Sequence, residues 1–445
     1  MKTNKYLVAT AFLLTLIPAT LLLSSCNQAP VYQPTYTAGY NQATTDNNVD
    51  NNTQDDTPSP TPSRFQTVSP TPHPDPTPEI EPRENPCFLC PSYDWIASLT
   101  LREKIGQLIM PRLPWQTTHF TPALEAWLAE YPVGGIILFA DNVQSIQQVQ
   151  ALTAAFHEAS NHPLLIATDE EGGRVSRVGR LFDDSDFPII AAYDIGLTGD
   201  PQVAYTTGYV IAQQLITLGI NMNFAPVADV WTNPANTVIG TRAFAREPYL
   251  AGLMVENIVR GLNSGGVLST IKHFPGHGDT YEDSHYLLAF YPHDRDRFDQ
   301  IEAPPFLRGI EAGTQAVMIG HLATPEFNDN QVVIMEWMPE LIESGTLPAT
   351  FSRFWLQHVL RDEMGFDGLI ITDALEMRAL SDHFTPQQIA ITAFLAGADI
   401  LLMPTDVPAT FNALLAAFEE GIIEEERLHA SLRRIYLAHQ ELAES

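Results

Sequence analysis

Cysteine is scarce in this 445-residue chain, which contains only Cys26, Cys87 and Cys90. A structural zinc site takes four ligands, and no second cysteine pair accompanies the stretch CFLC at residues 87–90, so the composition argues against zinc there. We interpret Cys87 and Cys90 as a local disulfide formed in an oxidising compartment, with zinc binding and a redox pair as the alternatives. Their role stays open on the sequence alone.

Basic residues are also few, because 23 Lys and Arg stand against 53 Asp and Glu, for a formal net charge of −30 at pH 7. Coulomb repulsion would oppose every approach to nucleic acid or to an anionic membrane surface. The charge therefore argues against nucleic acid as a partner, but it carries no information about the fold.

The N-terminus has the pattern of an export signal. Two lysines precede an apolar run at residues 6–23, and small residues then lead to Cys26. The stretch LSSC at 23–26 resembles a bacterial lipobox, in which the signal is cut before the cysteine and the cysteine is lipidated. We predict a lipoprotein signal peptide at 1–26, an extracytoplasmic protein and a membrane partner through Cys26. An uncleaved anchor and an ordinary secretory signal are the alternatives, and the membrane face stays open.

Residues 27–90 are rich in Pro, Thr and Asn, with repeats such as SPTPHPDPTPEIEP. Such a segment cannot bury enough apolar surface to offset its ordering entropy. We expect a disordered, partly polyproline linker that holds the following domain away from the membrane.

The remaining residues, 91–445, predict one α/β domain. Thr100 and Glu103 have the spacing of a capping box, which indicates a helix beginning at Leu101. Eight short apolar runs follow, and near-continuous apolar runs are typical of parallel strands buried on both faces. The runs are LIMPR (108–112), GGIILF (134–139), PLLIAT (163–168), MNFAPV (222–227), VLSTIKH (267–273), AVMIGH (316–321), GLIITD (368–373) and ADILLM (398–403). Eight βα units predict a (β/α)8 TIM barrel, with an open doubly wound sheet as the alternative.

Ionisable residues end five of these runs. They are Asp169, Asp229, Lys272 with His273, His321 and Asp373. Buried charges are costly unless they are paired or functional, and the carboxyl ends of barrel strands form the face where active sites lie. We therefore expect these residues to converge on one mouth.

Five stretches, in this order, resemble the N-terminal barrel domain of glycoside hydrolase family 3, and in particular its β-N-acetylglucosaminidases. They are DEEGGRVSR (169–177), NFAPVADV (223–230), IGTRAF (239–244), KHFPGHGDTYEDSH (272–285) and ITDALEM (371–377). The resemblance covers about residues 95–440. It implies a barrel enzyme that cleaves a glycosidic bond.

A retaining glycosidase needs a carboxylate nucleophile and a proton donor for the leaving oxygen. Asp373 is the candidate nucleophile because it ends a buried strand, and Lys272 and Arg242 are candidate cations that would keep it ionised. By the resemblance, the acid/base is His285 on a loop, held by Asp283. An imidazole titrates near neutrality and a carboxylate stabilises its charged form, so the pair suits this role.

The resemblance also implies substrate-binding roles for Asp169, Arg177, Arg242, Lys272 and His273. Buried charged donors and acceptors favour a hydroxyl-rich ligand, since other ligands would leave them unpaired. Glu170 stands where relatives often have Gln, and we expect it to add negative charge beside the site.

Residues 272–285 contain three histidines, so a metal site and a plain surface turn are the alternatives for this stretch. The histidines lack the ligand spacing of a zinc site, and we expect no metal and no cofactor.

The function predicted is a retaining β-N-acetylglucosaminidase that releases terminal β-linked N-acetylglucosamine (GlcNAc) from peptidoglycan fragments or chitooligosaccharides. Three alternatives stay open. A β-glucosidase or β-xylosidase of the same family typically takes its acid/base from a second C-terminal domain, whereas this chain ends at Ser445, soon after the eighth strand. A GlcNAc phosphorylase would use the same acid/base. A non-catalytic surface lectin would not need Asp373, Asp283 and His285 together.

Overall fold

The computed structural model describes residues 91–444, apart from Trp115, residues 183–188, residues 331–334 and Trp337. The predicted signal peptide with Cys26, the predicted linker at 27–90, and Cys87 and Cys90 lie outside the described residues. No helix within the described part of the chain is both long and apolar enough to cross a membrane.

All eight predicted strands are present, together with two short ones that periodicity did not indicate. In chain order the described strands are β1 (Ile109–Met110), β2 (Gly135–Leu138), β3 (Leu165–Thr168), β4 (Met222–Asn223), β5 (Leu268–Phe274), β6 (Ala289–Phe290), β7 (Ala316–Ile319), β8 (Leu322–Ala323), β9 (Leu369–Thr372) and β10 (Leu401–Leu402). Lys272 and His273 therefore lie within β5, which ends one residue later at Phe274.

The strands pair in parallel, which confirms the predicted parallel α/β architecture. Six of them form one sheet in the order β2-β3-β4-β5-β7-β9, and β1 pairs with β10. Single parallel bridges also join Arg112 to Ile137 and Ile371 to Ile400, so the β1-β10 pair adjoins β2 on one side and β9 on the other. Within each sheet the carboxyl ends of the strands lie at the same edge.

Helices separate the strands along the chain. They are α1 (Pro91–Ser98), α2 (Leu101–Gly106), α3 (Pro122–Glu130), α4 (Ile146–Ala159), α5 (Ala192–Thr198), α6 (Pro201–Thr217), α7 (Pro248–Ser264), α8 (Arg295–Arg297), α9 (Ala303–Glu311), α10 (Met338–Ser344), α11 (Arg378–Ser381), α12 (Pro386–Ala396), α13 (Val407–Glu419) and α14 (Glu425–Glu444). A π-helical turn at Phe298–Glu302 joins α8 to α9, and a second π-helical segment spans Phe354–Glu363. The predicted capping box is confirmed: the Thr100 side chain accepts from the Glu103 backbone N–H, and α2 begins at Leu101.

The core lies between the strands and these helices. Every residue of β2, β3, β7 and β9 is buried, which is why their sequences read as unbroken apolar runs. Several helices begin at polar caps; in α7, Glu247 accepts from two backbone N–H groups and Pro248 occupies the first turn, where no amide is needed. Helices such as α4, α6 and α7 contribute buried apolar residues to the core.

The loop after β5 holds most of the chemistry. It spans residues 275–288 and ends in β6, which pairs in parallel with β8. The strands β1, β4 and β10 are equally short but lie within the apolar runs that were read as strands, whereas β6 and β8 lie outside those runs, so the sequence did not predict them. A Cβ on Gly278 would lie 1.9 Å from the carbonyl oxygen of Val230, so the close approach of this loop to the chain after β4 requires glycine.

Candidate active site

A cavity of about 340 Å³ opens where the strands end. Seven of the eight predicted catalytic and substrate-binding residues line it: Asp169, Arg177, Arg242, Lys272, His273, His285 and Asp373. The eighth, Asp283, contacts His285 from outside the lining. Of the strand-end residues expected to converge, Asp169, Lys272, His273 and Asp373 lie together in this lining, whereas Asp229 and His321 are buried and are not part of it.

Lys272 sits in a buried cluster of alternating charges. Its Nζ lies 2.8 Å from Asp169 Oδ1 and 2.7 Å from Glu171 Oε1, and its side chain is 2% exposed. The guanidinium of Arg242 donates two bonds of 2.8 Å to the Glu171 carboxylate. This bidentate geometry is the strong form of an Arg–carboxylate contact.

The charges in this cluster hold one another ionised. Burial by itself would raise the pKa of Glu171, but Arg242 and Lys272 hold it well below its ordinary value. Burial likewise acts to lower the pKa of Lys272, and Asp169 and Glu171 outweigh it, so that the pKa is raised. Glu171 and Lys272 thus stay charged at neutral pH and offer fixed charges to a ligand.

Arg177 is held more loosely than Arg242. Its Nη2 lies 3.8 Å from Asp169 Oδ2, and its guanidinium carbon lies 5.3 Å from the centre of the Phe139 ring. Its side chain is 28% exposed, compared with 12% for Arg242. A contact this long leaves the guanidinium free to reorient towards a ligand.

Asp373 follows β9 directly, and its Oδ1 accepts a 2.7 Å bond from the Ala374 backbone N–H. Burial by itself would raise its pKa, but His273, His321 and this N–H lower the pKa of Asp373 to about 2. Asp373 is therefore ionised at neutral pH, as a nucleophile must be.

The groups that lower the pKa of Asp373 are histidines and a backbone N–H, and not the cations that the sequence suggested. Lys272 and Arg242 were expected to keep Asp373 ionised, but they pair with Glu171. His321 is fully buried beside Asp373, with Nδ1 2.7 Å from Thr350 Oγ1 and Nε2 3.0 Å from the Ala374 carbonyl oxygen, and burial lowers its own pKa.

His273 is oriented by a buried carboxylate. Its Nδ1 lies 2.7 Å from Asp229 Oδ2, and its Nε2 lies 3.3 Å from Arg242 Nη2. Asp229 also accepts from the backbone N–H groups of His273 and His277, at 3.3 and 2.6 Å. The Lys272–His273 peptide bond is cis.

The Asp283–His285 pair lies on the loop after β5. His285 Nδ1 lies 2.7 Å from Asp283 Oδ1, and the two side chains are 59% and 38% exposed, respectively. The His285 carbonyl accepts from the Arg378 backbone N–H at 3.2 Å, which ties the loop to the chain beyond Asp373. The imidazole is thus held by a carboxylate on one nitrogen while the ring reaches the cavity.

Comparison with known proteins places this arrangement in a family. Residues 100–438 match the family described as the glycosyl hydrolase family 3 N terminal domain. The chain belongs to glycosyl hydrolase family 3. The family resemblance carried by the five motifs is therefore confirmed.

Family 3 relatives and one solved structure show how far the similarity extends. The chain is 37% identical to beta-hexosaminidase A of Pseudoalteromonas piscicida over 74% of its own length and 56% of the relative's. It is 38% identical to a beta-hexosaminidase of Chromobacterium violaceum, over 67% and 78% of the two lengths. A family 3 beta-N-acetylglucosaminidase from Paenibacillus superposes with a TM-score of 0.71 and 37% identity, over 78% of this chain and 63% of the other. The chain thus spans little more than half of the first relative.

Glu171 is the residue of this family 3 site that the sequence reading missed. Glu170 was expected to add charge beside the site, but its Oε2 accepts from the backbone N–H groups of Arg177 and Val178, and burial raises its pKa. The negative charge beside the site comes from Glu171 instead. A signal was available, because residues two apart in an extended segment face the same side, and Glu171 is two after Asp169.

A second ion pair in the cavity lining was also missed. Arg112, just beyond β1, has its Nη1 3.1 Å from Glu376 Oε1 and packs on the Phe139 ring. Both side chains are partly exposed. The sequence did not single out Arg112, because an arginine at a strand end is common and its partner is 264 positions away.

Each histidine of residues 272–285 has a partner that accounts for it. His273 contacts Asp229, His277 contacts Ser284 and Thr280, and His285 contacts Asp283. Within the described part of the chain, no three His, Cys, Asp or Glu side chains are placed to hold a metal ion.

Proposed function

We propose that this family 3 chain is a retaining β-N-acetylglucosaminidase that hydrolyses terminal β-linked GlcNAc from peptidoglycan fragments or chitooligosaccharides. One observation carries the proposal: an ionised, buried Asp373 and an exposed, carboxylate-held His285 line the same cavity. The names of the relatives, beta-hexosaminidase and beta-N-acetylglucosaminidase, support the GlcNAc specificity.

In the first step, Asp373 attacks the anomeric carbon and the glycosidic C–O bond breaks. His285 donates its proton to the departing oxygen, so the leaving group departs as a neutral alcohol. Asp283 stabilises the imidazolium before this transfer and keeps the ring in one orientation. In the second step, neutral His285 removes a proton from water, which attacks the anomeric carbon and releases Asp373.

The charged cluster supplies sugar binding in this proposal. Asp169 accepts from hydroxyls of the terminal sugar, and Lys272, His273, Arg177 and Arg242 surround the same ring. Lys272, His273 and Arg242 are buried and held by carboxylates, so they bind without reorganising, whereas Arg177 can turn towards the ligand. A ligand lacking the matching hydroxyls would leave them unpaired, at a cost of about 1–3 kcal/mol for each group.

The scaffold proposed for this site is a closed (β/α)8 barrel. The bridges from Arg112 to Ile137 and from Ile371 to Ile400 support closure, because they join the β1-β10 pair to both ends of the six-stranded sheet. Closure leaves no unpaired edge. Amide hydrogen exchange tests it: strong protection of the Leu401 and Met403 amides, which donate to Leu108 and Met110, is expected. Rapid exchange there would favour the open doubly wound sheet.

Substrate specificity is tested with initial rates on aryl β-GlcNAc, aryl β-glucoside and aryl β-xyloside, with and without phosphate. Activity confined to β-GlcNAc and unchanged by phosphate is the expected result. Activity on glucoside or xyloside alone would move the chain to the glucosidase or xylosidase alternative. Strong phosphate stimulation would indicate a phosphorylase, and binding of GlcNAc without turnover would indicate a lectin.

Export and membrane anchoring through Cys26 belong to the same proposal. They rest on the apolar run and the LSSC stretch alone. Fractionation of producing cells tests them, since Cys26→Ser should move the protein from the membrane fraction to the soluble one. An unchanged distribution would show that Cys26 is not the anchor.

A further inference from the structure

Ser284 lies between the two members of the Asp283–His285 pair and faces the other way. It is 2% exposed, whereas the side chains on either side of it are the exposed ones. Its Oγ lies 2.9 Å from Nε2 of His277, a residue that is 1% exposed. In the stretch DSH (283–285), the Asp and His side chains therefore point outwards and the Ser side chain points inwards.

A buried polar network holds His277 in place. Its Nδ1 lies 2.7 Å from Thr280 Oγ1, and the Thr280 hydroxyl donates to the His277 carbonyl oxygen at 3.1 Å. Asn236 donates to the same carbonyl at 2.7 Å. With the Thr280 proton used in this way, Nδ1–H of the imidazole donates to Thr280 and Nε2 accepts from Ser284.

His277 is neutral in this network. Burial, together with His273, lowers its pKa to about 4. A neutral imidazole has one donor and one acceptor, and both are used here, so the ring is satisfied without a charge. This explains a histidine that neither the proposed reaction nor sugar binding uses.

The same network reaches the sugar-binding side of the cavity. Asp229 accepts from the His277 backbone N–H and also contacts Nδ1 of His273. One buried carboxylate therefore fixes both the His273 ring and the base of the loop that carries His285.

We propose that the Ser284–His277 contact is an anchor that positions the acid/base pair Asp283–His285 against the cavity. Ser284 and His277 are positioning residues and touch no reacting atom. The inference rests on the proposed function, since it concerns the proton donor of that reaction. The side chains of Asp283 and His285 are exposed, so the inward Ser284 supplies a buried side-chain contact that holds them in place, beside the backbone bond from Arg378 to His285. A misplacement of about 1 Å of a catalytic group can cost about a hundredfold in rate.

The test compares Ser284→Ala with the wild type on aryl β-GlcNAc substrates of graded leaving-group ability. We expect kcat to fall roughly tenfold to a hundredfold on poor leaving groups, with little loss on activated ones and an unchanged KM. Thr280→Val removes the hydroxyl on the other side of the same imidazole and should give the same pattern. The Thr280→Val variant provides a second test of the anchor if Ser284→Ala folds poorly.

Ser269→Ala is the matched control. Ser269 is equally buried and hydrogen-bonded, but it lies near the start of β5, at the opposite end from His273. Thermal unfolding midpoints are measured for all variants. A loss of equal size on every substrate, or one shared by Ser269→Ala, would mean that Ser284 serves stability alone and would overturn the anchor.

A double variant separates failure of the anchor from failure of the proposed function. If the anchor acts through His285, Ser284→Ala combined with His285→Ala should be no slower than His285→Ala alone. If the rate loss of the double variant equals the product of the two single losses, the anchor is overturned and the acid/base assignment stays intact. If His285→Ala itself shows no dependence on the leaving group, the acid/base assignment fails and the anchor fails with it.

Discussion

Lys272 lies between two carboxylates, with its Nζ 2.7 Å from Glu171 Oε1 and 2.8 Å from Asp169 Oδ1, and its side chain is almost fully buried. Glu171 also binds Arg242, so it balances two buried cations at once. Glu171 and its two cations therefore stabilise the fold as well as shaping the site, because a buried cation without its counter-charge is strongly destabilising.

Glu171→Gln should therefore lower the free energy of unfolding by about 3–5 kcal/mol, since two buried cations lose one compensating charge. Urea unfolding followed by circular dichroism measures it. The matched control is Glu376→Gln, which breaks the more exposed pair with Arg112 and should cost at most about 1 kcal/mol. Equal losses in the two variants would contradict the importance of the buried cluster.

Asp373→Ala should reduce kcat on aryl β-GlcNAc by roughly three orders of magnitude or more, because it removes the carboxylate proposed to form the glycosyl–enzyme bond. Initial rates and a thermal unfolding midpoint are measured together. Near-normal turnover by a folded variant would remove Asp373 from the mechanism.

Asp373 should also make stability depend on pH in acid. Its pKa is lowered from 3.8 to about 2 on folding, so its stabilising effect is complete above the unfolded value and is lost as the pH falls through the folded one. The window thus runs from about pH 4 down to about pH 2, and the effect is roughly 2 kcal/mol. Urea midpoints between pH 6 and pH 2 should fall less steeply for Asp373→Asn than for the wild type. Parallel curves would show that the carboxylate is not stabilised by its neighbours.

His285→Ala should impair substrates with poor leaving groups by about 10²–10⁴-fold and activated aryl glycosides far less, because only the former need a proton on the departing oxygen. Rates across a series of aryl β-GlcNAc substrates measure this. Asp283→Asn should follow the same trend more weakly, since it keeps the hydrogen bond but removes the charge that stabilises the imidazolium. A uniform loss across the series would make His285 a structural residue.

Much of the fold was readable from local pattern. The runs that became β2, β3, β7 and β9 are apolar throughout because both faces are covered, and their positions were predicted to within a residue or two. The short β6 and β8 were not predicted, because they lie outside the apolar runs that located the equally short β1, β4 and β10. The capping box at Thr100 was predicted because its two hydrogen bonds are local.

The residues of the site were also readable, but their partners were not. Strand ends and five ordered motifs indicated Asp373, His285 and the other predicted residues that line the cavity, because parallel strands bring their carboxyl ends to one edge. Pairing across that edge depends on distances between segments about a hundred positions apart. Lys272 therefore contacts Glu171 and not Asp373, and it is His273, His321 and the Ala374 N–H that lower the pKa of Asp373.

The sequence by itself thus determined the family, the parallel α/β architecture and the members of the site, since each rests on local composition or on ordered motifs. Only the tertiary structure decided which charges neutralise one another, that Glu171 and not Glu170 faces the cavity, and that Ser284 turns inwards to His277. Those outcomes depend on burial and on contacts between distant segments, which set the electrostatic free energy of each group. Such contacts produce no periodic pattern in the sequence.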